Sequence, residues 1–128
     1  MTAVKKILVI DDEVRIVEII DSYFKLHGFQ VKKAYDGRRG LNILKKDPSI
    51  NLVILDEKMP VLGGEGFLRE IKRLKIEVPV LVLTGSINLT QLDDDVKKLY
   101  KKILIKPVRL SRLLNLANRM LVSGTKKK

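Results

Sequence analysis

The stretch "NLVILDEKMP" (residues 51–60) joins an apolar run to an ionisable cluster. Leu52 to Leu55 are apolar in succession, a pattern typical of a strand that is buried on both faces. Asp56-Glu57-Lys58 follow at once, and Pro60 biases the residue before it away from helix. A turn at the end of a strand would explain this arrangement. A functional site would explain it only if other polar side chains meet Asp56.

The composition of the chain limits its possible chemistry. A sequence of 128 residues with 45% hydrophobic content fits one domain with a single core. There is no cysteine and only one histidine, which excludes a disulfide framework, a thiolate zinc site, a cysteine nucleophile and a histidine-rich metal site. Any metal ion would therefore have to be held by oxygen atoms.

The hydrophobic segments are all short. No apolar run approaches the roughly 18 to 20 residues of a membrane span. Residues Met1–Lys6 do not begin a secretory signal, because the apolar stretch after them is interrupted by Asp11-Asp12. We therefore expect a soluble, cytoplasmic protein with no membrane segment.

Positive charge is concentrated in the second half of the sequence. The formal net charge is +11, and residues 65–128 contribute 15 basic and 6 acidic side chains. From Val96 to Lys128 there is no acidic residue. A solvated lysine-rich surface would explain this charge, and so would an acidic partner or a nucleic acid.

Short apolar runs alternate with apolar residues at helical spacing along the whole chain. The runs predict strands at Ile7–Ile10, Phe29–Ala34, Leu52–Leu55, Val80–Leu83 and Ile103–Ile105. The helical spacing predicts helices within Val14–Phe24, Leu41–Leu44, Phe67–Ile76, Thr90–Tyr100 and Leu110–Leu121. Five such cycles predict an α/β domain over residues 1–122, with an open parallel sheet covered by helices on both sides. Residues 123–128 form a basic tail that is too polar and short to fold alone.

Polar residues follow four of the predicted strands. In open parallel sheets, ligands bind beyond the carboxyl ends of the strands, and these ends lie on one edge. The residues placed there are Asp11-Asp12-Glu13, Asp56, Thr84 and Lys106-Pro107. We expect them to share one rim.

The side chains on this rim favour phosphate chemistry. Asp11, Asp12 and Asp56 would repel one another in a partly buried cleft unless a cation were present, and Mg²⁺ prefers such oxygen ligands. A carboxylate nucleophile, a metal ion, a hydroxyl and an amine fit phosphoryl transfer best. Each segment also has an ordinary structural interpretation as a helix cap, a turn or a loop. Their coincidence at four strand ends favours a site.

Four short motifs resemble the receiver domains of two-component response regulators. They are "VIDDE" (9–13), "LDEKMP" (55–60) followed by Gly63, "VLTGS" (82–86) and "LIKPV" (104–108). They stand in the family's order and at its spacing, and the resemblance covers essentially the whole chain. Within the family, the sequence is most similar to stand-alone, chemotaxis-regulator-like receivers, although a receiver taken from a longer regulator or hybrid kinase would look the same.

The resemblance implies a fold and a metal site. The fold would be the flavodoxin-like (βα)5 three-layer sandwich with strand order 2-1-3-4-5. Asp56 would be the phosphoacceptor. Asp12 and Asp56 would bind Mg²⁺, with Asp11 contributing largely through water and the backbone carbonyl of Lys58 completing the protein ligands.

The resemblance also implies partners. Thr84 and Lys106 would bind the phosphoryl oxygens, and the donor would be a histidine kinase, a phosphotransfer protein or a small phosphodonor. Such a domain is not an enzyme in the ordinary sense, because it catalyses only its own phosphorylation and dephosphorylation. The signal would pass to a downstream protein through the surface formed by the fourth helix, the fifth strand and the last helix.

That surface departs from the family pattern. Ile103 stands where many receivers have a switch aromatic, and Tyr100 lies too early to replace it. Val108 stands where an aromatic is common, and Lys101-Lys102 add unusual charge. We expect this basic face to bind an acidic protein, with nucleic acid as the weaker alternative because aromatic residues for base stacking are few.

Three other functions are compatible with parts of the sequence. Gly63-Gly64-Glu65-Gly66 is a weak dinucleotide fingerprint, because it lacks a correctly spaced third glycine and follows the third strand. Aspartyl-phosphate phosphatases of the haloacid dehalogenase family normally carry a DxD pattern on the first strand, which Asp56-Glu57-Lys58 does not provide. A phosphorylation-independent basic interaction module remains open because of the charge on the C-terminal third.

Overall fold

The computed structural model describes residues 4–56, 62–85 and 102–126, in which strands and helices alternate. The strands are β1 (Lys6–Ile10), β2 (Gln30–Ala34), β3 (Leu52–Asp56), β4 (Val80–Thr84) and β5 (Lys102–Ile105). The helices are α1 (Val14–Leu26), α2 (Gly37–Lys46), α3 (Gly64–Arg73) and α4 (Leu110–Lys126). The helix predicted across Thr90 to Tyr100 lies outside the described residues.

The five strands form one sheet in the order β2-β1-β3-β4-β5, and each neighbouring pair is parallel. This confirms the predicted flavodoxin-like strand order. In the register of the sheet, Asp56 lies opposite Leu83, and Thr84 lies opposite Ile105. The carboxyl ends of β1, β3, β4 and β5 therefore meet at one edge, as the strand-end residues predicted.

The sheet is apolar on both faces, because successive side chains of a strand point to opposite sides. On one face, Ile54 belongs to a cluster with Phe24 of α1 and with apolar residues of α4. On the other face, Val53 belongs to a cluster with Phe67 of α3 and with apolar residues of α2. The molecule thus has three layers and buries its strands on both sides.

Helix α2 lies close to β1. It begins after Asp36, whose side chain accepts a hydrogen bond of 2.8 Å from the backbone N–H of Arg39 and so caps the helix. A Cβ atom at Gly40 would overlap the side chain of Ile10. Glycine at this position therefore permits the close packing of the helix on the strand.

Helix α3 ends earlier than the hydrophobic spacing predicted. Leu74 and Ile76 were expected on it, but the last helical residue is Arg73. Lys75 has a φ of 60°, and the N–H of Ile76 donates to the carbonyl of Ile71, an arrangement that closes a helix C-terminus. Leu74 and Ile76 still pack against the core, which explains why their spacing resembled that of a helix.

Helix α4 continues to Lys126, so the predicted start of the tail at Ser123 lies within the helix. Residues 123–126 contain no proline, and the backbone can continue its helical turns through them. Lys127 and Lys128 lie outside the described residues. Within the described ranges, no helix combines the length and the apolar composition that a membrane span requires.

Two leucines in helices provide a matched test of the core. Leu41 of α2 is 1% exposed and Leu26 of α1 is 83% exposed. We expect Leu41→Ala to lower the free energy of unfolding by about 2–5 kcal/mol, because it leaves a cavity beside β1. Leu26→Ala should change it by less than about 0.5 kcal/mol. Urea unfolding followed by circular dichroism measures both, and similar losses for the two variants would contradict the assigned core.

Candidate functional site

Three carboxylates converge at the carboxyl edge of the sheet. Asp11 and Asp12 follow β1, Asp56 ends the neighbouring β3, and one carboxylate oxygen from each lies within 4.8 Å of the others. Asp11 and Asp56 are buried, at 2% and 6% exposure, whereas Asp12 is exposed. The structure thus brings together the three acidic residues that the sequence predicted.

Backbone contacts fix Asp11 at the entrance to α1. Its N–H donates to the carbonyl of Ala34 at 3.1 Å, and its Oδ1 accepts from the N–H of Glu13 at 2.9 Å. The N-cap of α1 is Glu13, whose side chain makes no capping hydrogen bond. Glu13 therefore does not cap the helix with its side chain, and Asp11 binds the N–H of the N-cap residue instead.

Lys106 supplies the positive charge of the cluster. Its Nζ lies 2.9 Å from Oδ1 of Asp56, 3.3 Å from Oδ2 of Asp11 and 3.4 Å from Oε1 of Glu13. Its backbone N–H donates to the carbonyl of Thr84 at 2.7 Å, and its peptide bond to Pro107 is cis. Lys106 is therefore held to the site at both its backbone and its side chain.

Thr84 is the last residue of β4 and is fully buried. Because β4 lies between β3 and β5, Thr84 stands at the same edge of the sheet as Asp56 and Lys106. All five predicted residues of the site that the structure describes therefore meet at this edge. Lys58, whose backbone carbonyl was the fourth expected metal ligand, lies outside the described residues.

Burial and charge shift the pKa values of the cluster. Burial raises the pKa of Asp56, and the charge of Asp11 adds to this effect against the opposing hydrogen bond from Lys106. Burial also raises the pKa of Asp11. Burial by itself lowers the pKa of Lys106, but the hydrogen bond to Asp56 and the charge of Asp11 outweigh it, and the net pKa is above its ordinary value. The lysine therefore stays charged, and its single ammonium faces both buried carboxylates.

The donor set fits a hard divalent cation. Mg²⁺ takes oxygen ligands and is commonly held by one or two carboxylates together with water molecules. Asp11, Asp12 and Asp56 offer three oxygens within 4.8 Å of one another, and Asp12 is open to solvent. A cation at these oxygens would relieve the repulsion that raises the pKa values of Asp11 and Asp56.

The sequence placed Glu13 on the rim of the site, but it did not predict that Glu13 contacts Lys106. Its side chain is 62% exposed and reaches the ammonium of Lys106. The available signal was its position directly after Asp11-Asp12. A residue at the start of a helix can turn its side chain in several directions, so this position alone did not identify its partner.

Comparisons with known proteins match the fold to one family. A family model for the response regulator receiver domain matches residues 7–118. A response regulator receiver domain protein from Clostridium thermocellum is 35% identical, with a TM-score of 0.85 over 95% of this chain and 98% of that one. The receiver domain of a Francisella response regulator is 26% identical, with a TM-score of 0.85 over 95% of this chain and 99% of that one.

The curated relatives are longer proteins. The response regulator SaeR of Staphylococcus aureus is 34% identical over 80 residues, which are 62% of this chain and 34% of SaeR. The chain thus spans about a third of the length of the curated relatives it matches.

The raised pKa of Asp56 predicts how its charge affects stability. A carboxyl group whose pKa is higher in the folded than in the unfolded chain destabilises the fold increasingly as the pH rises from the unfolded to the folded pKa, and fully above the folded pKa. In buffer with a chelator, we expect Asp56→Asn to raise the free energy of unfolding at pH 7. The gain should shrink as the pH falls through the folded pKa of Asp56 toward the ordinary value of 3.8. Urea unfolding at several pH values measures it.

Asp47, at the other edge of the sheet, is a control because its pKa is lowered, whereas that of Asp56 is raised. Hydrogen bonds from Ser49 and Lys6 lower its pKa to about 2, so its charge stabilises the fold. Asp47→Asn should therefore lower stability at pH 7, and the loss should fade as the pH drops from 3.8 toward 2. Destabilisation by Asp56→Asn at pH 7 would show that the Lys106 ion pair outweighs the cost of burial.

Proposed function

The chain belongs to the response regulator receiver domain family, and on this basis we propose that Asp56 accepts a phosphoryl group in a Mg²⁺-dependent reaction. The geometry that supports this assignment is the pairing of a buried carboxylate with an ammonium at 2.9 Å, beside two further carboxylates. Asp56 is the last residue of a central strand, so the rigid sheet fixes its backbone. The nucleophile therefore has a constant position relative to the groups that assist it.

The proposed reaction is a phosphoryl transfer to a carboxylate. An oxygen of Asp56 forms a bond to phosphorus while the bond from phosphorus to the donor's leaving atom breaks, and the product is an acyl phosphate. Asp12 and Asp56 would hold Mg²⁺, with Asp11 acting largely through water and with the carbonyl of Lys58 as a further ligand. Bound there, Mg²⁺ offsets negative charge on the phosphoryl oxygens.

Lys106 and Thr84 bind the incoming group in this proposal. The ammonium of Lys106 already contacts Asp56, so it is within reach of oxygens on a phosphoryl group attached there. Thr84 offers a hydroxyl from the adjacent strand. Hydrogen-bond donors placed in this way stabilise charge on the transferred group without further rearrangement.

The phosphodonor is a histidine kinase, a phosphotransfer protein or a small phosphodonor, and the domain catalyses only its own phosphorylation and dephosphorylation. Its location would be the cytoplasm, where such kinases present their phosphohistidine. The output surface would comprise the predicted helix at Thr90–Tyr100, β5 and α4. Its downstream partner would be an acidic protein, with nucleic acid as the weaker alternative. Lys97, Lys98 and Lys101 of this surface lie outside the described residues.

A phosphorylation-independent basic interaction module is the second candidate function. It is favoured by one observation, the absence of acidic residues after Asp95. The two candidates differ in a single measurable property, which is whether Asp56 becomes phosphorylated.

Labelling with acetyl phosphate tests the proposed acceptor. The wild-type chain should gain one phosphoryl group in the presence of Mg²⁺, and none when the metal is chelated. Asp56→Asn should abolish the gain because an amide is a poor nucleophile. Asp47→Asn, at the opposite edge of the sheet, should be labelled like the wild type. Intact mass spectrometry measures all four samples, and full labelling of Asp56→Asn would sink the assignment.

A pair of substitutions at Thr84 tests the role of its hydroxyl. Thr84→Val keeps the shape of the buried side chain and removes the hydroxyl, whereas Thr84→Ser keeps the hydroxyl. We expect Thr84→Val to slow labelling by roughly tenfold or more, in line with the loss of one charge-stabilising donor. Thr84→Ser should remain within a few-fold of the wild type. Equal rates for both variants would show that Thr84 contributes only packing.

A further inference from the structure

Glu13 occupies the N-cap position of α1, where a glutamate is poorly suited to capping. The residues that cap helices well are Ser, Thr, Asp and Asn, because their short side chains reach back to the N–H groups of the first turn. The side chain of Glu13 makes no capping hydrogen bond, and its Oε1 lies 3.4 Å from Nζ of Lys106 instead. A position that breaks a local rule of helix formation is a candidate for function.

The backbone of Glu13 is fixed, whereas its side chain is not. Its N–H donates to Oδ1 of Asp11 at 2.9 Å, and its carbonyl accepts from the N–H groups of Ile16 and Val17 at 3.0 and 3.2 Å. The side chain is largely exposed to solvent. Rotation about its own bonds therefore moves the carboxylate from Lys106 into water while the backbone stays in place.

Three carboxylates of the described residues share the ammonium of Lys106. Its Nζ lies 2.9 Å from Asp56, 3.3 Å from Asp11 and 3.4 Å from Glu13. An ammonium group has three N–H donors, so these contacts use its full hydrogen-bonding capacity. A phosphoryl group on Asp56 would need one of these donors, and one of the present contacts would have to be released.

Glu13 is the partner that Lys106 releases at the smallest cost in free energy. Asp11 and Asp56 are buried, and a buried carboxylate that loses its cation is left without hydration. The carboxylate of Glu13 faces solvent, so water replaces the lost contact, and exposed ion pairs contribute little free energy. Its contact is also the longest of the three.

We propose that Glu13 is a positioning residue that slows the phosphorylation of Asp56 by competing for the ammonium of Lys106. It holds the ammonium while Asp56 is unphosphorylated and releases it when the phosphoryl group arrives. An interaction that is stronger in the ground state than in the transition state raises the barrier of the reaction. Glu13 forms and breaks no covalent bond in this role. The role rests on the proposed phosphorylation of Asp56.

A purely structural role would favour a different residue at this position. An exposed ion pair stabilises a fold less than a good N-cap does. An aspartate, which is one methylene group shorter than a glutamate, would cap α1 and would keep the negative charge that favours a helix N-terminus. Glu13 thus makes a contact at the site in place of a more stabilising contact within its own helix.

Two substitutions of Glu13 separate the effect of its contact from the effect of its charge. Glu13→Gln keeps the length of the side chain and removes the charge. Glu13→Asp keeps the charge, but its shorter side chain caps the first turn of α1 and does not reach Lys106. Glu77→Gln is the matched control, because it removes one negative charge from an exposed residue that precedes β4, at the amino edge of the sheet. Intact mass spectrometry measures the initial rate of labelling by acetyl phosphate at a fixed concentration of Mg²⁺.

We expect both variants of Glu13 to be labelled roughly two- to fivefold faster than the wild type, the range that loss of one exposed ion pair implies. Added salt should narrow the difference between Glu13→Gln and the wild type, because it screens an exposed pair. Glu77→Gln should stay within about 1.5-fold of the wild type, since its charge lies far from the site. Urea unfolding in buffer with a chelator should show that Glu13→Asp is at least as stable as the wild type, so that its faster labelling does not come from a loosened fold.

Three results would overturn the role of Glu13 alone. Labelling of Glu13→Gln at or below the wild-type rate would show that the contact does not oppose the reaction. Faster labelling of Glu13→Gln with a wild-type rate for Glu13→Asp would show that charge at the rim, rather than the contact with Lys106, sets the rate. An equal gain in Glu77→Gln would show a general effect of net charge. Absence of labelling in the wild-type chain would instead overturn the proposed acceptor, and the role of Glu13 with it.

Discussion

A carboxylate as buried as Asp56 requires a positive charge within reach, and the ammonium of Lys106, 2.9 Å from its Oδ1, provides it. This ion pair joins β3 to the residue that follows β5, across β4. It forms because the strands run in parallel, so that their carboxyl ends share an edge, and because only β4 separates β3 from β5. The topology of the sheet thus makes the contact possible, and the contact offsets the negative charge of the buried carboxylate.

The positive charge of Lys106 does not balance all of the carboxylates that meet at the site. One ammonium faces the carboxylates of Asp11 and Asp56 and the exposed Glu13, and burial still raises the pKa values of both aspartates. The two apolar clusters on either side of the sheet hold the strand ends in place despite this repulsion. The fold thereby keeps excess negative charge where a divalent cation would reduce it.

The sequence predicted which residues lie together where the position of a residue at a strand end determines its place in the fold. Asp56, Thr84 and Lys106 were placed together because the carboxyl ends of parallel strands share an edge. Strand order came from the family resemblance instead, since alternating strands and helices are compatible with several orders. The predicted end of α3 was too late, because a lysine rarely adopts the positive φ that Lys75 has and nothing in the sequence indicated it. The contact of Glu13 was missed because it depends on a side-chain direction that spacing does not determine.

If Asp56 is phosphorylated as proposed, its effect on the basic surface must pass through shape rather than through cancellation of charge. A phosphoryl group adds about −1.5 to −2 charges, whereas residues 102–126 alone carry six basic side chains and no acidic one. Screening by salt further limits the reach of the added charge to about 8–10 Å. A movement at Asp56 or Thr84 reaches Lys106 more directly. The backbone N–H of Lys106 donates a hydrogen bond to the carbonyl of Thr84, and its ammonium pairs with Asp56. Rearrangement of either contact would act first on Pro107 and Val108, which follow Lys106 in the chain and lead into α4.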